Sequence, residues 1–251
     1  MRQTLSNGAL GGLGIGVLLM AWWGAVHTLS TDIPLVRQFS PVVAASALLD
    51  LLSSQEIWVH IGLSLKRVLV SLSLAMLVGV PIGLLVGHSA RLSAVVSPSF
   101  QLLRMISPLS WMPIAVIAFG IGDAPVFFLL TFAAVWPVML NTVAGVHAIE
   151  PKWLRLSASL TATRWETLRA IVLPAILPHV LTGTRLALGV VWIVLVPCEM
   201  LGVSAGLGYF ILDTRDRLDY PALMATVFLI GLIGLALDST LKIVCQHWRS
   251  R

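Results

Sequence analysis

Charged residues are scarce in this sequence. They make up 11% of its 251 residues, against about 25% in soluble globular domains, whereas 58% of the residues are hydrophobic. So few charges cannot solvate the surface of a soluble domain, and the soluble classes are excluded. The apolar runs are long and do not alternate apolar with polar residues, as outer-membrane strands would. We therefore predict an all-α integral membrane protein.

Cysteine is nearly absent. Cys198 and Cys245 lie in or near apolar segments and lack the spacing of a metal site or a disulfide framework, so we interpret both as packing residues. His60 has Ser64 and Arg67 at helical spacing but no metal-binding pattern beside it. We interpret it as a packing or interface residue and predict no metal site.

Lysine is also rare, and no phosphate-binding loop is present. Such a loop needs Gly-x-x-x-x-Gly-Lys-Ser/Thr, but Lys66, Lys152 and Lys242 each follow leucine or proline. We therefore expect no nucleotide and no other cofactor on this chain. The net charge of +5 would suggest nucleic acid in a soluble protein, but here the arginines separate apolar runs, which is a topology signal. No nucleic-acid partner is predicted.

About six apolar runs are long enough to cross a hydrocarbon core about 30 Å thick. The first is longer than the apolar region of a signal peptide, about 7 to 15 residues, and is predicted to be retained. Residues 30–54 are too polar to span and contain one short amphipathic pattern ending near Leu52, and residues 204–221 are predicted to form a loop. The predicted spans are 8–26, 68–86, a third beginning near 95 and containing 102–122, then 125–146, 180–203 and 222–244.

Two of these runs contain residues that shape helix packing. Gly79, Gly83 and Gly87 make the second run a small-residue helix of the kind that packs closely in membranes. Pro108 and Pro113 each remove a backbone hydrogen bond from the third run and predict kinks there.

The basic residues are distributed unevenly between the two sides. Six spans place both termini on one side, and basic residues stay preferentially in cytoplasmic loops. The predicted cytoplasmic residues are Arg2, Arg91, Lys152, Arg155, Arg164, Arg169, Lys242, Arg249 and Arg251, and the opposite loops hold Arg37, Arg215 and Arg217. This bias predicts a multi-pass protein of the bacterial inner membrane with both termini in the cytoplasm.

A charged segment separates the fourth and fifth spans. From Trp153 to Val172, apolar residues recur at roughly helical spacing while charged residues occupy other faces, which predicts a short amphipathic helix. Pro174 and Pro178 follow and predict a sharp change of direction before the next span. Periodicity alone leaves two interpretations open: a helix lying on anionic lipid, or a contact for another protein.

The run "ATRWETLRAIVLPAILPHVLTGTRLALGVVWIVLVPCEMLG", residues 162–202, resembles the coupling region of permease subunits from binding-protein-dependent ABC importers. It is most similar to the nitrate, sulfonate, taurine and bicarbonate branch. The family pattern is E-A-A, three residues, G, then a spacer ending in I-x-L-P, and here residues 171–174 supply the last part. Arg155 stands at the position of the motif glutamate and Thr161 at that of the glycine. "SPLSWMPI" and "WPVMLNT" resemble the nitrate and bicarbonate members, and the similarity covers residues 40–238.

The resemblance implies one permease domain, residues 1–251, with a type I importer-like fold and a cytoplasmic coupling helix between spans 4 and 5, within about 150–174. That helix would dock into a separate ATPase, which binds ATP and magnesium. We expect hydrophobic contacts there, because the charged motif residue is missing. The implied coupling residues are Arg155, Leu156, Ser157, Leu160, Thr161, Ala162 and Trp165. The implied partners are two ATPase copies, a periplasmic substrate-binding protein, a second identical permease and membrane lipid.

Ionisable residues within spans are costly and often mark transport pathways or ion pairs. Arg104 and Glu199 could pair, or could serve different states of the cycle. Arg104 would offer an oxyanion a cationic donor, with Ser107 and Asn141 as hydrogen-bonding neighbours and Trp111 as a wall. Structural roles stay open: Arg104 could reach water, Glu199 could lock helices together, and Asn141 could bond between helices.

The spacing of charged residues also predicts an ion pair and a charged outer loop. Asp238 is predicted to pair with Lys242 one helical turn away, and Arg185 to lie near the cytoplasmic end of the fifth span. The charged residues of the outer loop are predicted to be a solvated loop or a docking or gating surface for the binding protein. These residues are Asp213, Arg215, Asp216 and Arg217.

The sequence thus predicts a permease subunit of an ATP-driven importer for a small anion such as nitrate, bicarbonate or a sulfonate, and not an enzyme. A stand-alone secondary anion carrier or channel is the alternative. An intramembrane enzyme would need a nucleophile with a base, and Cys198 beside Glu199 is the nearest candidate.

Overall fold

The computed structural model describes the backbone of residues 2–31 and 33–249, and the side chains of residues 12–14, 16–31, 33 and 35–247. Over these residues the chain is helical and contains no β-strand. The α-helices are α1 (Arg2–Leu29), α2 (Pro41–Ser53), α3 (Gln55–His88), α4 (Ala90–Met105), α5 (Met112–Phe119), α6 (Asp123–His147), α7 (Pro151–Ser159), α8 (Arg164–Thr167), α9 (Leu173–Gly202), α10 (Leu207–Asp216) and α11 (Tyr220–Arg249). Of the basic residues counted for topology, Arg251 and the side chains of Arg2 and Arg249 lie outside the described residues.

Most of the predicted spans are single helices. The helices that are long and apolar enough to cross a membrane are Gly12–Leu29, Gln55–His88, Asp123–His147, Arg164–Gly202 and Tyr220–His247. The third predicted span is a pair of helices, Ala90–Met105 and Pro108–Phe119, bent by 86°. The described residues therefore hold five or six spans, depending on whether the bent pair crosses as one.

The bend confirms one of the two predicted kinks. The break falls just before Pro108, where the α4 hydrogen-bond ladder ends. Pro113 causes no kink, because it lies in the first turn of α5, where an amide has no partner within the helix anyway.

Three element boundaries differ from the sequence prediction or refine it. The predicted short amphipathic segment is α2, which begins where the Ser40 hydroxyl accepts a hydrogen bond from the Val43 amide. α3 begins at Gln55, well before the predicted start at 68, because its polar residues His60, Ser64 and Arg67 are buried on one face of the helix. Residues 204–221 were predicted to be a loop, but most of them form α10.

The chain divides into two compact units. The first comprises Met1–Val59 and Phe210–Leu232; within it the Phe39 and Tyr220 rings lie 5.2 Å apart. The second comprises His60–Tyr209 and Ile233–Arg251. Its apolar core is built from α3, α5, α6 and α9. That residues 1–251 act as one permease domain stays a prediction.

Close packing of α3 against α6 confirms the small-residue prediction. A Cβ atom added at Gly83 would lie 2.6 Å from Thr142 Cβ and 2.8 Å from the Met139 carbonyl oxygen. Added Cβ atoms at Gly79 and Gly87 would also contact α6 side chains, at 3.1 and 2.9 Å. The three glycines therefore let the two backbones approach closely, where dispersion contacts drive helix association in lipid.

Candidate functional site

The charged segment between α6 and α9 presents apolar side chains to its surroundings. Leu160 is 70% exposed and Trp165 is 65% exposed. The apolar residues Trp153, Leu154 and Leu156 of α7 are exposed as well. Arg155 is exposed and bonds only to its own helix, through the Pro151 carbonyl. An exposed apolar group outside the hydrocarbon core commonly marks a contact surface for protein or lipid.

The turn after α7 occurs at the motif position that normally holds glycine. Thr161 has φ of 56°, in the left-handed region that costs an L-residue about 1–2 kcal/mol. Its amide bonds to the Ala158 carbonyl, and the Ala162 amide bonds to the Ser157 carbonyl, each at 3.1 Å. These two bonds form a Schellman motif, so threonine supplies the turn that the missing glycine would make.

Two polar contacts hold the next helix against this turn. Ser157 is buried, and its hydroxyl lies 2.5 Å from the Thr167 hydroxyl. Thr163 caps the next helix and forms a capping box with Glu166. Ser157 is among the predicted coupling residues; its burial places it inside the turn, and its role in coupling stays a prediction.

The long helix that begins at Arg164 has more turns than one membrane crossing needs. The helix from Arg164 to Gly202 has 39 residues, which at about 1.5 Å per residue exceeds a core about 30 Å thick by about a factor of two.

The predicted change of direction is displaced. The helix runs through Pro174 and Pro178 without a break, and the chain turns at residues 160–163 instead. A π-helical segment, Leu168–Val172, precedes Pro174. Its wider turn accommodates the backbone hydrogen bond that the proline nitrogen cannot donate.

A buried ion network joins α3, α6 and α9. Arg67 Nη1 donates to Glu199 Oε1 at 2.6 Å and to the Ala205 carbonyl at 2.7 Å, and Arg67 Nη2 donates to Asp123 Oδ1 at 2.7 Å. Arg67 is 3% exposed and Glu199 is fully buried, whereas Asp123 is partly exposed. Glu199 therefore pairs with Arg67; the pair with Arg104 that the sequence left open is absent.

The same network fixes the segment after α9. The Ser64 hydroxyl donates to Glu199 at 2.8 Å and accepts from the Leu207 amide at 2.9 Å. The Gly208 amide donates to Glu199 Oε2, and the Gly206 amide donates to His60 Nδ1, each at 2.9 Å. His60 was predicted to be a packing residue. It packs here through a defined contact, because its ring nitrogen accepts a hydrogen bond from the Gly206 amide.

Cys198 is fully buried in the apolar core of the second unit. The carboxylate of the adjacent Glu199 is bound by Arg67 and Ser64, so it is not held ready as a base for the thiol. Cys198 and Glu199 therefore do not form the nucleophile and base pair that the enzyme interpretation would use.

A second ion pair corrects a local prediction. Arg185 of α9 donates to both carboxylate oxygens of Asp238 in α11, at 2.7 and 2.8 Å. The sequence prediction paired Asp238 with Lys242 because that residue lies one turn away. The planar guanidinium of Arg185 can bond both oxygens at once, a geometry that an ammonium group does not offer.

Arg104 lies in the last turn of α4 and lines two cavities in the second unit. A smaller one, about 240 Å³, lies between α4 and α6, and a larger one, about 460 Å³, also reaches Asn141 of α6. The Asn141 amide donates to the Pro137 carbonyl of its own helix at 2.8 Å. Of the predicted pathway residues, the structure thus brings Arg104 and Asn141 together.

The other predicted pathway residues lie elsewhere. Ser107 is exposed and lines neither cavity. Trp111 packs against the core and against the Phe132 ring, 5.7 Å away, and its buried indole nitrogen has no hydrogen-bond partner. Glu199 belongs to the buried network described above.

The outer charged patch is mostly helical and partly neutralised. Arg217 pairs with Asp213 at 2.9 Å, and Arg215 pairs with the adjacent Asp216 at 2.8 Å. Leu207, Phe210 and Thr214 are buried at helical spacing, a signal that could have revealed α10 in the sequence. Whether this patch docks a binding protein stays a prediction.

Comparisons with known proteins identify the family. Residues 79–250 match the family described as binding-protein-dependent transport system inner membrane component. The chain is 33% identical over 246 residues to the taurine transport system permease protein TauC of Escherichia coli (strain K12), which covers 96% of this chain and 87% of that protein. The chain belongs to this family of transporter permeases. It is also 38% identical over 177 residues to the bicarbonate transport system permease protein CmpB of Synechococcus elongatus, covering 70% of this chain and 63% of that protein.

The fold of this permease agrees with the family. An inward-facing structure of the MetNI methionine ABC transporter matches 78% of the chain and 99% of its own length, with a TM-score of 0.67 and 17% identity. The predicted resemblance to ABC importer permeases and the predicted type I-like helical fold are both confirmed. The chain is therefore a multi-pass permease subunit of an ABC importer, and such subunits associate with an ATPase and a substrate-binding protein.

Proposed function

We propose that this permease imports a small anion, such as nitrate, bicarbonate or a sulfonate, across the bacterial inner membrane. Two identical copies form the pathway, two ATPase subunits dock on the cytoplasmic side and hydrolyse ATP with magnesium, and a periplasmic binding protein delivers the anion. Both termini lie in the cytoplasm. The names of the relatives support a substrate with an oxyanion group, since bicarbonate is an anion and taurine carries a negatively charged sulfonate beside its ammonium group.

One structural observation carries the coupling part of this proposal. The turn at Thr161 presents Leu160 and Trp165 as exposed apolar side chains at the end of a helix that continues through the membrane. Movement of an ATPase groove around these side chains would therefore be transmitted along α9. Apolar contact replaces the charged contact that the motif glutamate would make.

The test is reconstitution of the permease with its candidate ATPase and binding protein in liposomes. ATP hydrolysis and uptake are measured while nitrate, bicarbonate and taurine are titrated, with and without the binding protein. Stimulation by one anion only in the presence of the binding protein supports the importer and identifies its cargo. Anion flux without any ATPase would contradict the proposal and support a stand-alone carrier.

Substitutions test the coupling contact directly. The double variant Leu160→Ser, Trp165→Ser is expected to lose ATPase co-purification and anion-stimulated hydrolysis, whereas Arg155→Gln is expected to retain both. Apparent Tm values in detergent check that each variant is folded. Loss of coupling in the arginine variant alone would show that the charged position makes the contact.

A further inference from the structure

Arg104 differs from Arg67 and Arg185, the two arginines that join helices of the second unit through ion pairs. Arg67 and Arg185 are each paired with carboxylates, and so the buried Glu199 and the Asp238 carboxylate are already neutralised. Among the described residues, Arg104 has neither an ion pair nor a hydrogen bond. Arg104 is exposed where it lines both cavities, so its guanidinium is accessible to a ligand there, and an ionisable residue within a span is by default a candidate functional residue.

The position of Arg104 within the fold also supports a functional role. It lies in the last turn of α4, just before the 86° bend, near the middle of the bent helix pair from Ala90 to Phe119. Non-helical backbone at membrane depth is tolerated where protein covers it or where it lines a water-filled cavity. Ile106 and Pro108, on either side of the break, do line the larger cavity.

The two cavities are large enough and have the right chemistry for a small anion. Each exceeds several times the roughly 30 Å³ share of one water molecule. Ser93, Ser97 and Gln101 line the smaller cavity at successive four-residue steps of α4 and lead to Arg104. The Ser97 hydroxyl donates to the Ser93 carbonyl at 2.5 Å, so it offers a ligand only its oxygen. Among the described residues that line the two cavities, Arg104 is the one that carries a charge.

We propose that Arg104 binds the transported anion as it passes between the two cavities, with Gln101 as a neighbouring donor and Asn141 on the far wall. The proposal rests on the proposed anion import. A planar guanidinium bonds two oxygens of a nitrate, bicarbonate or sulfonate group side by side. The site therefore selects a singly charged oxyanion group and not one particular molecule, leaving fine discrimination to the binding protein.

The experiment uses proteoliposomes of the complete transporter: permease, ATPase and binding protein. Uptake of nitrate, bicarbonate and taurine is measured per ATP hydrolysed for Arg104→Gln, Arg104→Lys and Gln101→Leu. Arg91→Gln is the matched control, because Arg91 lies in the first turn of the same helix and lines neither cavity. ATP hydrolysis stimulated by the binding protein is recorded in parallel as a readout of assembly and coupling.

We expect Arg104→Gln to lower uptake per ATP at least tenfold while stimulated hydrolysis persists, Arg104→Lys to restore part of it, and Arg91→Gln to stay within twofold of wild type. Gln101→Leu should lower uptake about fivefold, as loss of one neutral hydrogen bond does. If Arg104→Gln fails to assemble, the Gln101→Leu result decides: a fivefold loss supports the site and near-normal uptake overturns it.

The outcomes separate this proposal from the one on which it rests. If the wild type imports the anion and Arg104→Gln and Gln101→Leu import it equally well, the anion site is overturned and the importer proposal stands. Arg104 would then extend to interfacial water. Absence of binding-protein-dependent import by the wild type would overturn both.

Discussion

Arg67 Nη1 of α3 lies 2.6 Å from Glu199 Oε1 of α9, and both side chains are buried. Removing one partner of a buried ion pair leaves the other charge uncompensated, which typically costs about 3–5 kcal/mol. Arg67 also bonds to Asp123 at the start of α6. That carboxylate is 41% exposed, so water already solvates it, and its removal leaves Arg67 still paired with Glu199. The two acidic partners of Arg67 should therefore respond differently to substitution.

We predict that Glu199→Gln lowers the apparent Tm of the detergent-solubilised permease far more than Asp123→Asn does. The expected costs are about 3–5 kcal/mol and about 1 kcal/mol or less, respectively. Thermal unfolding followed by size-exclusion chromatography of heated samples measures both. Equal shifts, or a larger shift for the aspartate variant, would contradict the assignment of Glu199 as the buried partner.

The network also illustrates where sequence reasoning succeeded and where it could not. His60, Ser64 and Arg67 are visible in the sequence at helical spacing, so their common face could be predicted. Their partner Glu199 is 132 residues from Arg67 along the chain, and only the packing of α3 against α9 brings the two together. Composition and periodicity do predict the apolar runs, because lipid requires long internally bonded helices.

The turn at Thr161 provides a stability prediction. Thr161→Gly should relieve about 1–2 kcal/mol of left-handed backbone strain, against about 0.4–1 kcal/mol of added unfolded-chain entropy. We therefore expect a net gain of between zero and about 1.6 kcal/mol, measured as a higher apparent Tm. Thr163→Ala, which removes a helix cap two residues away, should lower it by about 1 kcal/mol. A lower Tm for the glycine variant would mean that the threonine side chain stabilises the turn.

The α3–α6 contact predicts opposite effects for two glycines of one helix. Gly83→Ala places a methyl group 2.6 Å from Thr142 Cβ and should destabilise by about 1–3 kcal/mol. Gly62→Ala meets nothing within 4 Å and should be neutral or stabilising, since alanine is the better helix former. The measurement is apparent Tm in the same detergent. Similar shifts for both variants would contradict the close approach of α3 and α6.

The pair between Arg185 and Asp238 can be distinguished from the local pair that sequence spacing favoured. The local rule considers only neighbours on one helix, whereas Arg185 lies 53 residues away and is brought to Asp238 by the packing of α9 against α11. Both side chains are partly exposed, so we expect a small but favourable coupling energy. A double-mutant cycle with Arg185→Gln and Asp238→Asn, evaluated from unfolding free energies, should give this favourable coupling energy. A cycle with Lys242→Gln and Asp238→Asn should give a coupling energy near zero.

The coupling between Arg185 and Asp238 should weaken at high salt, because exposed charges are screened within about 10 Å at 0.1 M. Coupling found only in the lysine cycle would restore the local pair and remove the ionic link between α9 and α11.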